Sequence, residues 1–198
     1  MICKFTISDY LLKLTQKAIN MFTTHWSIDP DHSNIDFKIR HLLISHVSGS
    51  FKIFNGKMTT ANDNFETAQI NVYLDVYSFD TNNIERDEHI KSKEFLDADN
   101  FPEIKFESTS LKKIHGDDYK LTGNITIKGV TKEVELDAIF GGQAKDGFGK
   151  MKAGFEISGK LHRNDFGIQA EDVNESGSLV IGEEIKIHAN IEFDKEED

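Results

Sequence analysis

From Trp26 to Phe193 the chain alternates apolar and polar residues with period two, run after run. That alternation constrains the fold more than any other feature. Successive side chains of an extended chain point to opposite sides, so period two marks strands with one buried face. Ile35, Phe37 and Ile39 alternate with Asn34, Asp36, Lys38 and Arg40; Ala68, Ile70, Val72, Leu74 and Val76 alternate with Thr67, Gln69, Asn71, Tyr73 and Asp75. Shorter or longer versions cover Ile104–Phe106, Leu121–Ile127, Val134–Phe140, Met151–Gly159 and Ile185–Phe193, and Val47–Lys57 makes about eight strands in all. The punctuation between runs is that of hairpins: Lys128-Gly129, Asp146-Gly147 and His115-Gly116-Asp117-Asp118. Long strands joined by short turns predict an all-β, antiparallel eight-stranded up-and-down barrel. A sandwich is the alternative, although it uses shorter strands.

Asn82–Asn100 breaks the pattern. Its spacing predicts a short helix from Ile84 to Lys91 that covers one end of the barrel, with Phe101-Pro102 opening the next strand. Asp165–Gly182 is a second irregular region. No linker or repeat divides the chain, which predicts one domain over 25–194, an extension over 1–24 and an acidic tail over 195–198. In Met1–Asn20, Lys4, Asp9, Lys13 and Lys17 interrupt the apolar residues and no small-residue cleavage site follows. The segment therefore reads as a marginal helix or disordered extension and not a secretory signal, which predicts a cytoplasmic protein, with Met21 an alternative start.

The formal net charge of −11 disfavours non-specific attraction to nucleic acid or to an anionic membrane surface, though a local basic patch is still compatible with it. One cysteine, Cys3, allows neither an intramolecular disulfide nor a Cys-based zinc site. Phe accounts for 15 aromatic residues against 4 Tyr and 1 Trp, rings suited to filling or lining an apolar interior.

An ordered set of short motifs resembles the YceI-like family of lipocalin-like, polyisoprenoid-binding barrels. The set runs Trp26-Ser27-Ile28-Asp29, Asp31-His32-Ser33, Phe37-x-x-x-His41, Gly49-x-Phe51, the Asn83–Lys93 segment with Arg86, and Lys93-x-Phe95-Leu96-Asp97. It continues with Phe101-Pro102-x-Ile104-x-Phe106, Leu121-Thr122-Gly123-Asn124-Ile125-Thr126-Ile127-Lys128-Gly129-Val130-Thr131, Arg163-Asn164-Asp165-Phe166-Gly167, Leu179-Val180-Ile181-Gly182 and Ile185-x-Ile187. The resemblance implies a barrel whose interior is a long apolar channel holding an isoprenoid or similar long-chain amphiphile, with no cofactor and no catalytic residues. It also makes a homodimer plausible.

Physics is compatible with a ligand but does not require one. Eight strands enclose an interior either filled by side chains or wide enough for one slender ligand. A tail of about 15 carbons, at about 0.8 kcal/mol per buried CH₂, gains about 12 kcal/mol before ordering costs. From phase alone, Phe37, Phe51, Ile70, Val72, Phe106, Ile125, Phe155 and Ile187 face the tail, with Gly123 and Gly159 leaving room for it. His41 and Arg86 are the candidates for a head group at the mouth, and Phe95 of the covering segment is a further ligand contact.

Each polar candidate also has an ordinary structural explanation. His32, His41 and His46 are close in sequence, but no carboxylate or Cys pair completes a ligand set, so no metal is expected. Arg86 and Arg163 suit either a head group or an ion pair with Glu85 or Asp165. Glu94, Asp97, Asp99 and Glu103, interspersed with Lys91, Lys93 and Lys105, read as a solvated face. No G-x-S-x-G, P-loop or dinucleotide-binding motif is present. The expectation is a non-catalytic carrier, with a lipid-acting enzyme or a filled-barrel, stress-related scaffold as alternatives.

Overall fold

A computed structural model describes residues 23–42, 44–169 and 180–197. Residues 1–22 of the expected 1–24 extension and the 170–179 part of the second irregular region lie outside the described residues, while Thr23 and Thr24 already belong to the first strand. The strands are β1 (Thr23–Ile28), β2 (Asn34–His41), β3 (Ser45–Phe51), β4 (Phe54–Ala61), β5 (Asn64–Asp75), β6 (Phe79–Asp80), β7 (Glu103–His115), β8 (Asp118–Ile127), β9 (Val130–Lys145), β10 (Met151–His162) and β11 (Ile181–Lys195), with one helix, α1 (Ile84–Lys91).

These eleven segments form eight long strands, because the first three strands are each bent in the middle. β1 and β2 lie end to end along β11, with Ile28 opposite Phe193 and Ile35 opposite Ala189. β3 and β4 follow along β2 and β1, and β6 and β5 along β3 and β4. Tyr73 then pairs with Lys105 on β7, and simple hairpins lead through β8, β9 and β10 back to β11. Every pair is antiparallel and the sheet closes between its first and last strands. Closure removes the sheet edges that would otherwise invite pairing with other chains.

The bends are paired as well. Lys52 N–H donates to Ser78 O (3.1 Å) and Asp75 N–H to Ile53 O (3.0 Å), so the wall turns in register at both places. The first bend is the short Pro30–His32 turn, whose Asp29 carboxylate accepts from the Asp31 N–H. Asp29 N–H and Ser33 both bond to the backbone of Glu192, pinning this break to β11 at the closing seam. A half-buried ion network flanks it: Lys152 lies 2.7 Å from Asp29, 3.3 Å from Glu192 and in contact with Asp194, and the exposed His32 lies 2.9 Å from Asp29. Hydrogen bonds from Lys152 and His32 hold the Asp29 carboxyl well below the ordinary range, and those to Asp194 and Asp29 hold the Lys152 ammonium well above its own.

The β8–β9 turn shows why Lys128-Gly129 reads as a hairpin: both residues have positive φ (51° and 74°), the two-residue turn that matches strand twist. Helix α1 occupies the expected span. Asn83 caps it by accepting from the Arg86 N–H at 3.0 Å. Among the described residues no helix is long and apolar enough to cross a membrane.

Candidate functional site

The barrel has a closed end and an open one. At the closed end, where the β4–β5, β7–β8 and β9–β10 turns meet, Trp26, Phe65, Phe140 and Phe155 form a floor with ring centroids 5.0–5.7 Å apart. The Trp26 indole donates to Thr60 at 3.3 Å, so even the polar end of this ring is satisfied inside.

Above the floor lies a cavity of about 200 Å³ that exposes only apolar surface. Phe37, Phe51, Ile70, Val72, Phe106, Ile125, Phe155 and Ile187 all lie on its wall. They come from seven different strands, brought together because each sits on the inward phase.

A second cavity, of about 450 Å³, opens above the first under helix α1. His41, Arg86 and Phe95 line it, with Arg40, His89 and Arg163 around them. Phe37, Leu96, Ile168 and Ile185 line both spaces, so among the described residues these side chains stand between the apolar chamber and the polar mouth. Together the two volumes fall within the roughly 300–1,000 Å³ usual for small-molecule sites.

The polar candidates are held differently from expectation. Arg86 does not pair with Glu85: its Nε donates to the Thr81 hydroxyl (2.7 Å) and its Nη2 to Thr81 O (2.8 Å). The buried Asp87 carboxylate accepts from both the N–H and the hydroxyl of Thr81. This Arg86–Thr81–Asp87 chain fixes the start of the helix to the end of β6, and nothing in the sequence pattern pointed to Thr81 or Asp87. Arg163 is buried and donates to Gly182 O (3.0 Å) and Ile168 O (2.7 Å), tying together the two sides of the second irregular region.

Two expectations need correction. Gly123 and Gly159 leave no room for a ligand. A Cβ on Gly123 would stand 2.5 Å from the Phe106 ring and 2.6 Å from Glu107 O, and one on Gly159 would strike Leu136. Each glycine lets a neighbouring side chain lie flat against the wall. Gly123→Ala is therefore expected to push Phe106 into the chamber and to destabilise the fold by about 1–3 kcal/mol in denaturant titration. Asp97, read as part of a solvated face, is instead buried, with positive φ (53°), and accepts from the Asn100 side chain at 2.9 Å.

The three histidines do not converge. His41 is at the mouth, His46 is on the outer wall, and His32 stands with Asp29 and Glu192. That last trio has a metal-like donor set, but the Lys152 ammonium already lies against both carboxylates.

The closed barrel, the covering helix and the motif order all point the same way, and the YceI-like domain profile matches residues 26–193. The chain belongs to the YceI-like family. It is 41% identical over 169 residues to Protein YceI of Salmonella newport (strain SL254), covering 84% of this chain and 86% of that one. Among solved structures it is similar to a Campylobacter jejuni YCEI protein (33% identity, TM-score 0.69, 81% of this chain and 91% of that one). It also shares its fold with a polyisoprenoid-binding domain from Saccharophagus degradans (11% identity, TM-score 0.67, 86% and 98% coverage).

Proposed function

We propose that this YceI-like barrel is a non-catalytic carrier of a long-chain isoprenoid or similar amphiphile. The observation that carries the reading is the stacked pair of cavities: a chamber with only apolar surface, closed below by aromatic rings, opening into a mouth that bears His41 and Arg86. A hydrocarbon tail needs no polar partner and gains about 0.8 kcal/mol for each CH₂ removed from water. Its head group stays at the mouth, where the Nη1 of Arg86 has no partner among the described residues. The Saccharophagus degradans neighbour, named for polyisoprenoid binding, supports the choice of ligand class.

Entry requires Leu96 and Ile168 to move, since both stand between mouth and chamber and belong to connecting segments, not strands. Closed strands part only at the cost of their ladder hydrogen bonds, whereas short covering segments open more cheaply.

Mass spectrometry of an organic extract of the purified protein tests this. The expected result is one long-chain species at near one per chain. An empty protein that also fails to load from total cellular lipids points to a filled barrel acting as a scaffold.

A further inference from the structure

The outer wall beside the mouth carries a row of charge that is out of character with the rest of the molecule. Lys160 on β10 is paired directly with Lys186 on β11, and Lys186 directly with Lys38 on β2. Arg40 and His46 face one another one step nearer the mouth. Like charges directly opposite on neighbouring strands are destabilising. Glu184 pairs with Lys160 at 3.0 Å and also feels the Lys186 cation, but among the described residues no carboxylate forms an ion pair with Lys38, Arg40 or Lys186. Desolvation, and then the Lys38, Arg40 and Lys186 cations, hold the His46 imidazole below its ordinary value, as expected inside a positive field.

Two large aliphatic side chains stand on the same rim. Ile44, in the β2–β3 turn, is 86% exposed, and Ile84, the first residue of α1, is 81% exposed. The opposite end also exposes an aromatic ring, Phe148, but its flanking charges alternate (Lys145, Asp146, Lys150) and make no row of one sign.

We propose that this face docks on an anionic lipid bilayer, with the Lys160–Lys186–Lys38 row and Arg40 against the head groups and Ile44 at the interface. The proposal rests on the carrier reading above, since a lipid carrier must present its mouth to the membrane it exchanges with. The net charge of −11 does not forbid it. The Debye length at physiological salt is about 8 Å, while a 15-residue strand such as β11 runs roughly 50 Å, so charges at the far end are screened from the membrane. A planar array of phosphates matches a flat row of cations, and exposed aliphatic residues beside such a row are the elements of interfacial binding.

Sedimentation of the full chain with vesicles tests it. At low salt the protein is expected to bind phosphatidylcholine–phosphatidylglycerol vesicles, to ignore phosphatidylcholine alone and to release as salt rises. The triple variant Lys38→Gln/Lys160→Gln/Lys186→Gln is expected to bind on the order of 100-fold more weakly. Its melting temperature should equal or exceed the parent's, because a like-charge repulsion has been removed, so weaker binding is not explained by unfolding. Ile44→Ser is expected to cost about tenfold more. Failure to bind the anionic vesicles, equal binding to the neutral ones or unchanged binding by the triple variant overturns the proposal. So does retention on heparin without vesicle binding, which assigns the row to an acidic polymer. The organic extract separates the two readings: a triple variant that still carries its lipid leaves the carrier function standing while docking is lost.

Discussion

Val72→Trp is expected to empty the barrel. Val72 is half-buried at mid-wall on β5, in one row with Phe106 on β7 and Ile125 on β8, and all three line the apolar chamber. An indole there points into the 200 Å³ that the tail needs. Excluding three methylenes, at about 0.8 kcal/mol each, weakens binding by about 50-fold, enough to lower the co-purifying lipid from near one per chain to traces. The apo fold should not suffer, since a ring that fills empty space restores dispersion contacts the lining otherwise lacks. Lipid loss with a melting temperature equal to or above that of the delipidated parent is the expected pair of results. Full lipid occupancy in a folded variant places the tail elsewhere and removes the chamber from the mechanism.

The inward wall was legible in the sequence because the direction of its residues follows from period two alone; that it encloses a chamber and not a filled core does not follow from phase, and only the family resemblance implied it. Phe37 on β2, Ile125 on β8 and Ile187 on β11 meet there for no reason beyond phase and closure. The helix was legible too, because Asn83 and Pro102 bracket it chemically. The bends at Lys52-Ile53 and at Val76–Ser78 carried no such sign. They exist because each wall segment bonds to the other across the sheet, and only the Asp29–Ser33 bend has a proline to announce it. The glycines misled because a missing Cβ on an inward position signals space in the sequence, whereas Phe106 and Leu136 occupy it in the fold. The cation row is invisible without register: Lys38 and Lys186 are far apart in the chain and adjacent only once β2 pairs with β11.

The same limit hid Lys152, whose partner Asp29 is 123 positions away, and Lys152→Met is expected to be among the most destabilising single changes in the barrel. Lys152 is 14% exposed and its partners Asp29 and Asp194 are 13% and 17% exposed, so this network is half-buried, between a surface pair and a buried one. Removing the ammonium leaves Asp29, Glu192 and Asp194 crowded at the closing seam, with only His32 and Lys150 beside them. Stranding half-buried charge in this way costs about 2 kcal/mol, between the surface and buried cases, which for a chain of this size lowers the melting temperature by roughly 4–8 °C at pH 7. The pH dependence gives the cause away. Asp29 is held low by Lys152 and His32; Asp194 is pushed up by burial but brought lower still by hydrogen bonds from Lys150 and Lys152. A carboxylate with a depressed folded pKa contributes stability that is present above its unfolded value, near 4, and lost as pH falls through the folded one. The parent therefore weakens below about pH 4. In the variant Asp29 and Asp194 lose the Lys152 hydrogen bonds that hold them low, so their folded values rise toward the unfolded ones and acid costs the variant less than the parent. The two melting temperatures should converge as pH falls below about 4, read by thermal unfolding at pH 7 and in acid. A gap that stays constant with pH assigns the loss to the packing of the lysine stem and not to its charge.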